Sequence, residues 1–192
     1  MSAASPTILI TTPHSYCPET TRRVCDRNAR AASVDLADAL RRWANVVVLP
    51  SPAVLRSTLD MNRPEARQHA YRRDIRHRLA RRPSLLIDVH SFPRGAFGDD
   101  LEVVLLDNAP GTDYAERLFR ALRQQHQSYG VAMALGDARL NDVVGDARLN
   151  DVVGDARRAG VPSLLIEYGE HLDERDLARW NDVIARWAMD EL

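Results

Sequence analysis

Three apolar runs in this chain each end in a residue that can bind a metal or move a proton. "ILITTPHSY", near the start, delivers His14 and Ser15. "LLIDVHSFP" breaks from Leu85, Leu86 and Ile87 into Asp88, Val89, His90 and Ser91. "SLLIEYGEH" does the same, with Leu164, Leu165 and Ile166 running into Glu167. Imidazoles and a carboxylate that converge can build a three-ligand zinc site with an open position. Zinc in such a site polarises a carbonyl and acidifies water, and a free carboxylate takes the proton. The chain has no HExxH helix, so spacing by itself leaves a structural role open for each histidine.

Convergence needs a scaffold that brings strand ends together. Ile8–Thr11, Val46–Leu49, Leu85–Val89, Leu101–Leu106, Val131–Leu135 and Ser163–Glu167 read as strands. Longer helical patterns separate them. In Arg27–Ala44, Val34, Leu36, Ala37, Leu40 and Trp43 recur at three- and four-residue spacing. Pro64 suits the first position of a helix that runs to Arg82. Asp113–Gln127 turns Leu118, Phe119 and Leu122 inward, and Arg175–Met189 lines up Leu177, Trp180, Ile184 and Trp187. This alternation predicts an α/β fold, a three-layer α/β/α sandwich with a largely parallel or mixed sheet. Sites in such folds form outside the carboxyl ends of the strands. His14, His90 and Glu167 would meet there.

The 192 residues suit a single domain, 1–192, with a substantial core. Hydrophobic residues at 45% and charged residues at 28% fit a soluble globular chain. A formal net charge of −1 argues against a dedicated nucleic-acid binder. The run "RPEARQHAYRRDIRHRLARR" is rich in arginine, but its only aromatic is Tyr71, so it reads as a solvated helix face. The chain has no lysine, so arginine also fills slots that lysine would take. Cys17 and Cys25 are too few for a disulfide framework and read as small buried thiols. The N-terminus lacks the features of a secretory signal, and no stretch approaches a membrane span of about 20 apolar residues. The expectation is a cytoplasmic protein with no membrane partner.

One segment breaks the pattern. "GDARLNDVV" occurs at 136–144 and again at 145–153, and "GDAR" starts a third time at 154. Nine residues advance a helix by about 900°, half a turn beyond two full ones. Two copies in one helix would therefore turn their apolar faces opposite ways. The downstream copy is expected to pack, as a helix over 150–159, because a short fixed linker ties it to the strand ending at Glu167. Val152 and Val153 should be buried, and Val143 and Val144 more exposed.

"PHSY", "DMNR", "DVHS" and "IEYGE", in that order, resemble the N-formylglutamate amidohydrolase family of zinc carboxypeptidase-like hydrolases. The resemblance spans residue 13 to about residue 170. It implies Zn2+ as cofactor, His14 and His90 as metal ligands, and Glu167 as the general base. It also implies that Asn62 and Arg63 bind a substrate carboxylate, a role that suits a planar guanidinium. Two positions depart from the family. Tyr16 replaces a usual glycine, and Cys17 stands where zinc carboxypeptidases carry a ligating Glu. The remaining ligand is therefore open among Asp26, Glu19 and Cys17. Asp26 is preferred, because the start of the first predicted helix lies near the strand end and aims its carboxylate. The implied activity is zinc-dependent hydrolysis of a small N-acyl, or N-formyl, amino acid or peptide. A carboxypeptidase-like peptidase and a catalytically silent binding relative are the alternatives. The implied partner is a small carboxylate-bearing molecule.

Asp88 shares a strand face with His90. It either orients the imidazole or forms a strand-end turn. Arg94, in "SFPRG", is either an oxyanion stabiliser or a surface loop residue. His171 falls just past the Glu167 strand without an assigned role.

Overall fold

The computed structural model describes residues 5–18, 25–96, 101–107, 114–125, 130–133 and 151–192. The described elements, in chain order, are β1 (Thr7–Thr11), α1 (Ala29–Leu40), β2 (Asn45–Leu49), a short 3-10 turn (Pro64–Gln68) and α2 (Ala70–Leu79). Then come β3 (Leu85–Phe92), β4 (Leu101–Asp107), α3 (Tyr114–Gln125), β5 (Gly130–Met133), α4 (Asp151–Arg158), β6 (Ser163–Gly169) and α5 (Glu174–Glu191). One six-stranded sheet runs in the order β2-β1-β3-β6-β4-β5. The pairs from β2 to β6 are parallel, β4 lies antiparallel to β6, and β5 is parallel to β4. The α/β sandwich read from the sequence is found, with a mixed sheet.

The central strands are apolar on both faces because helices cover both. All eight residues of β3 are buried. Leu85, Ile87 and Val89 join Ile8, Ile10, Leu164 and Ile166 in a core shared with α1, α3 and α5. On the other face, Leu9 and Leu86 pack with Ile75 of α2 and Val152 of α4. Helix α1 lies close to the sheet because Ala29, Ala32 and Ala37 are small and fully buried. Val34, expected inward, is 52% exposed. At 100° per residue it lies more than half a turn from Leu36, which takes the core position. Helix α5 starts in a capping box between Asp173 and Asp176.

Several boundaries differ from the sequence reading. The helix expected from Pro64 to Arg82 is interrupted at His69, which is extended and accepts the Tyr71 N–H to cap α2. Strand β3 runs on to Phe92, so His90 sits inside the strand and not beyond it. Cys17 and Cys25 are not separate thiols but form a disulfide with Cα atoms 5.4 Å apart. The chain returns on itself here, and the Asp26 N–H donates to the His14 carbonyl at 3.1 Å. Among the described residues no helix is long and apolar enough to cross a membrane.

The downstream repeat copy supplies the first three residues of α4, with Val152 and Val153 fully buried, and the third "GDAR" continues the helix. Gly160, at φ +67°, takes the left-handed conformation that closes this helix. The Val161 N–H then donates to the Ala156 carbonyl at 2.9 Å, and Pro162 leads into β6. The upstream copy, with Val143 and Val144, and the candidate ligand Glu19 lie outside the described residues.

Candidate metal centre

His14 lies three residues past β1, Asp26 lies just ahead of α1, and His90 is near the end of β3. One ligand atom from each falls within 4.8 Å of the others, and all three residues are buried. His90 Nδ1 is 2.7 Å from Asp26 Oδ2, and His14 Nδ1 is 3.6 Å from the same oxygen. The two rings stand edge to face, 5.0 Å apart at 66°.

The far nitrogens decide what the near ones can do. His14 Nε2 lies 2.7 Å from Asp60 Oδ1, and His90 Nε2 lies 3.1 Å from Asp88 Oδ2. With the Nε2 atoms held by Asp60 and Asp88, both Nδ1 atoms face the Asp26 carboxylate, and without a metal a proton joins His90 Nδ1 to Asp26 Oδ2. Among the described residues His14 Nδ1 is buried without a hydrogen-bond partner. A metal ion replacing the proton between His90 and Asp26 could be ligated by both Nδ1 atoms and the Asp26 carboxylate. The donor set, two imidazoles and one carboxylate, fits a catalytic Zn2+ with a fourth position open.

The surrounding acids are themselves fixed. The Thr11 hydroxyl donates to Asp88 Oδ1 at 2.6 Å, and the Asn62 N–H donates to Asp60 Oδ1 at 2.8 Å. Arg56 Nη1 is 3.6 Å from Asp26 Oδ1, and its Nε is 3.5 Å from Asp60 Oδ2. Burial opposes ionisation of Asp26 and Asp60, but the facing histidines hold both well below the usual carboxylate range. Burial also opposes the charge on His90, yet Asp88 and Asp26 raise it well above an ordinary imidazole.

Glu167 is directly opposite His90 in the β3–β6 register. Burial, aided by the negative charge of Asp26 and opposed by His90, pushes its carboxyl up to about 7. A carboxylate tuned to neutrality is suited to accepting and returning a proton.

The structure thus brings together His14, Asp26 and His90, with Glu167 beside them. Asp88 braces His90, so the strand-end-turn alternative does not apply. Asn62 is not an open carboxylate receptor. It is 6% exposed, with its amide nitrogen 3.0 Å from His90 Nε2. Arg63 stays half-exposed at the rim, 3.6 Å from Asp60. Arg94 is exposed in the turn after β3, and among the described residues nothing ties it to the cluster. Sequence reading missed Asp60, Thr11 and Arg56. Asp60 stood at the head of the quoted "DMNR", but Arg56, in an arginine-rich chain, carried no signal.

No protein-family model matches the chain, and no curated protein resembles it significantly in sequence. Solved structures do match. Gene product Atu2144 from Agrobacterium tumefaciens has a TM-score of 0.67 at 15% identity, over 97% of this chain and 90% of that one. The N-acetylmuramoyl-L-alanine amidase AmiC2 of Nostoc punctiforme has a TM-score of 0.58 at 14% identity, over 98% of each chain. The mDAP-bound Helicobacter pylori Csd4, a D,L-carboxypeptidase, has a TM-score of 0.57 at 13% identity. The match covers 98% of this chain and 51% of Csd4. The chain shares the α/β fold of these structures. The resemblance to N-formylglutamate amidohydrolases is overturned, because the neighbours with a named activity are N-acetylmuramoyl-L-alanine amidases and a carboxypeptidase. Four short motifs carry a high false-positive risk, and their order did not identify the family.

Proposed function

We propose that this chain is a metal-dependent amide hydrolase acting on a small N-acyl amino acid or peptide. The observation that carries the reading is the converging trio His14, Asp26 and His90, with a buried unpartnered Nδ1 on His14 and Glu167 across from His90. His14, Asp26 and His90 would hold Zn2+. Bound there, the ion would act as a Lewis acid toward the amide carbonyl and would make water acidic. Glu167 takes the proton from the attacking water and hands it to the departing amine. Asp60 and Asp88 keep the two imidazoles in one tautomer. Arg56 and Arg63, half-exposed at the rim, attract a substrate carboxylate. That rim favours cleavage beside a free carboxylate as a second reading, in the manner of a carboxypeptidase.

Metal analysis tests the assignment. The purified chain should bind about one zinc, consistent with a single three-ligand site. His90→Ala should lose most of it, while Glu167→Gln should keep the metal and lose hydrolysis. Full zinc occupancy in a His14→Ala, His90→Ala double variant would refute the site.

A further inference from the structure

The turn after β6 fixes an imidazole whose position the fold does not require. Gly169 ends β6, paired with Phe92. Alternation along the strand places it on the same sheet face as Glu167. The ring of His171 fills the space a side chain would occupy there. A methyl group at Gly169 would stand 2.4 Å from His171 Cε1 and 2.7 Å from Nδ1. Glycine is therefore needed at 169 for close approach. The turn is held at both ends. The Glu170 N–H donates to the Phe92 carbonyl at 2.8 Å, and the Leu172 N–H donates to the Gly169 carbonyl at 3.2 Å. The Glu170 carboxylate accepts the Arg27 N–H at 3.2 Å and the Ser91 hydroxyl at 3.4 Å.

Within this frame, and among the described residues, His171 Nδ1 is buried without a hydrogen-bond partner, although the residue as a whole is partly exposed. Nε2, which would lie 3.3 Å from a methyl group at Gly169, is the ring nitrogen left to meet a ligand. His171 thus presents Nε2 on the Glu167 side of the sheet. Arg56 and Arg63 follow β2, which lies on the other side of β3 in the strand order. The candidate metal centre stands between the two sets.

Resting on the amide-hydrolase reading, we infer that His171 is a substrate-contacting, specificity-determining residue. Its Nε2–H donates to an oxygen on the acyl side of the scissile amide. A substrate with its amine-side carboxylate at Arg56 and Arg63 extends its acyl group past Glu167 toward this ring. The class selected is an N-acyl amino acid whose acyl group carries a hydroxyl or carbonyl oxygen near the scissile bond.

The test compares N-glycoloyl-L-alanine with N-propionyl-L-alanine, which differ by a hydroxyl in place of a methyl. Both are offered to the zinc-loaded full chain, with kcat/KM and calorimetric affinity read separately. One added hydrogen bond predicts a preference of about tenfold for the glycoloyl compound. His171→Phe keeps a ring of similar size and should bring the ratio close to one. Gly169→Ala should narrow it as well by swinging the ring aside, with zinc content unchanged. Hydrolysis with a ratio unmoved by either variant, or with no wild-type preference, overturns this inference and leaves the hydrolase reading intact. No hydrolysis but a His171-dependent difference in affinity overturns the hydrolase reading alone. Neither binding nor hydrolysis of either compound overturns both.

Discussion

Replacing Arg72 with leucine should destabilise the fold and loosen the candidate metal centre together. The Arg72 side chain is fully buried. Its Nη1 donates to the Met61 carbonyl at 2.8 Å, and its Nη2 donates to the Asp151 carbonyl at 2.8 Å and carboxylate at 3.1 Å. The same Nη2 donates to the Asp155 carboxylate. The Asp151 N–H in turn donates to the Asn62 carbonyl at 3.0 Å, and the Asn62 amide touches His90. Arg72 therefore ties α4 to the segment that braces a proposed ligand. Arg72→Leu removes the guanidinium from two carbonyls and takes one of several arginine partners from each of two carboxylates, since Asp155 keeps Arg158 and Arg76. Removing one partner of a buried pair costs about 3–5 kcal/mol. Arg67 and Arg158 still pair with Asp151, which places the loss near the lower end. For a chain of this size about 3 kcal/mol lowers Tm by roughly 6–12 °C. Denaturant unfolding and thermal melts of the full chain measure it. Adding Asp155→Asn should cost less than the sum of the two single changes, because the partners act as a pair. A loss under about 1 kcal/mol, or strict additivity, would refute the strut reasoning.

Three further outcomes are expected. Reducing the Cys17–Cys25 disulfide, which closes a loop with a sequence separation of 8 between His14 and Asp26, should remove about 2–3 kcal/mol of stability. It should also weaken zinc binding, and melts and metal titrations with a non-chelating phosphine reductant read both effects. Burial works against ionised Asp151, but Arg67 and Arg158 hold its carboxyl at about 2, below the ordinary 3.8. Its contribution to stability is therefore complete above about pH 4 and is lost as pH falls toward about 2; Asp151→Asn should flatten that limb of the unfolding curve. Val152→Asp places a charge at a fully buried position and should cost at least about 3 kcal/mol. Val143→Asp, in the identical upstream copy, should cost little, and deleting 136–144 should leave a folded zinc-binding chain. Equal melting losses for the two aspartates would overturn the packing argument.

The sequence by itself determined the elements and most of the candidate ligands. The buried central strands had to be short apolar runs, since a parallel sheet covered on both faces admits nothing else. His14, His90 and Glu167 were visible because a polar residue ending such a run breaks a strong local pattern. Asp26 was legible because a helix start beside a strand end aims its carboxylate. The burial of Val152 and Val153 was legible because a short linker ties them to β6. Contacts between distant segments were decided only by the tertiary structure. Asp60 braces His14 across 46 residues, and Arg72 reaches 83 residues to Asp155. Nothing local in either sequence stretch encodes its partner. The disulfide likewise depends on the return of the chain toward His14, and the antiparallel entry of β4 depends on its pairing with β6. The exposure of Val34 was set by which face of α1 the sheet claimed. Periodicity fixes a helix's faces, but packing chooses between them.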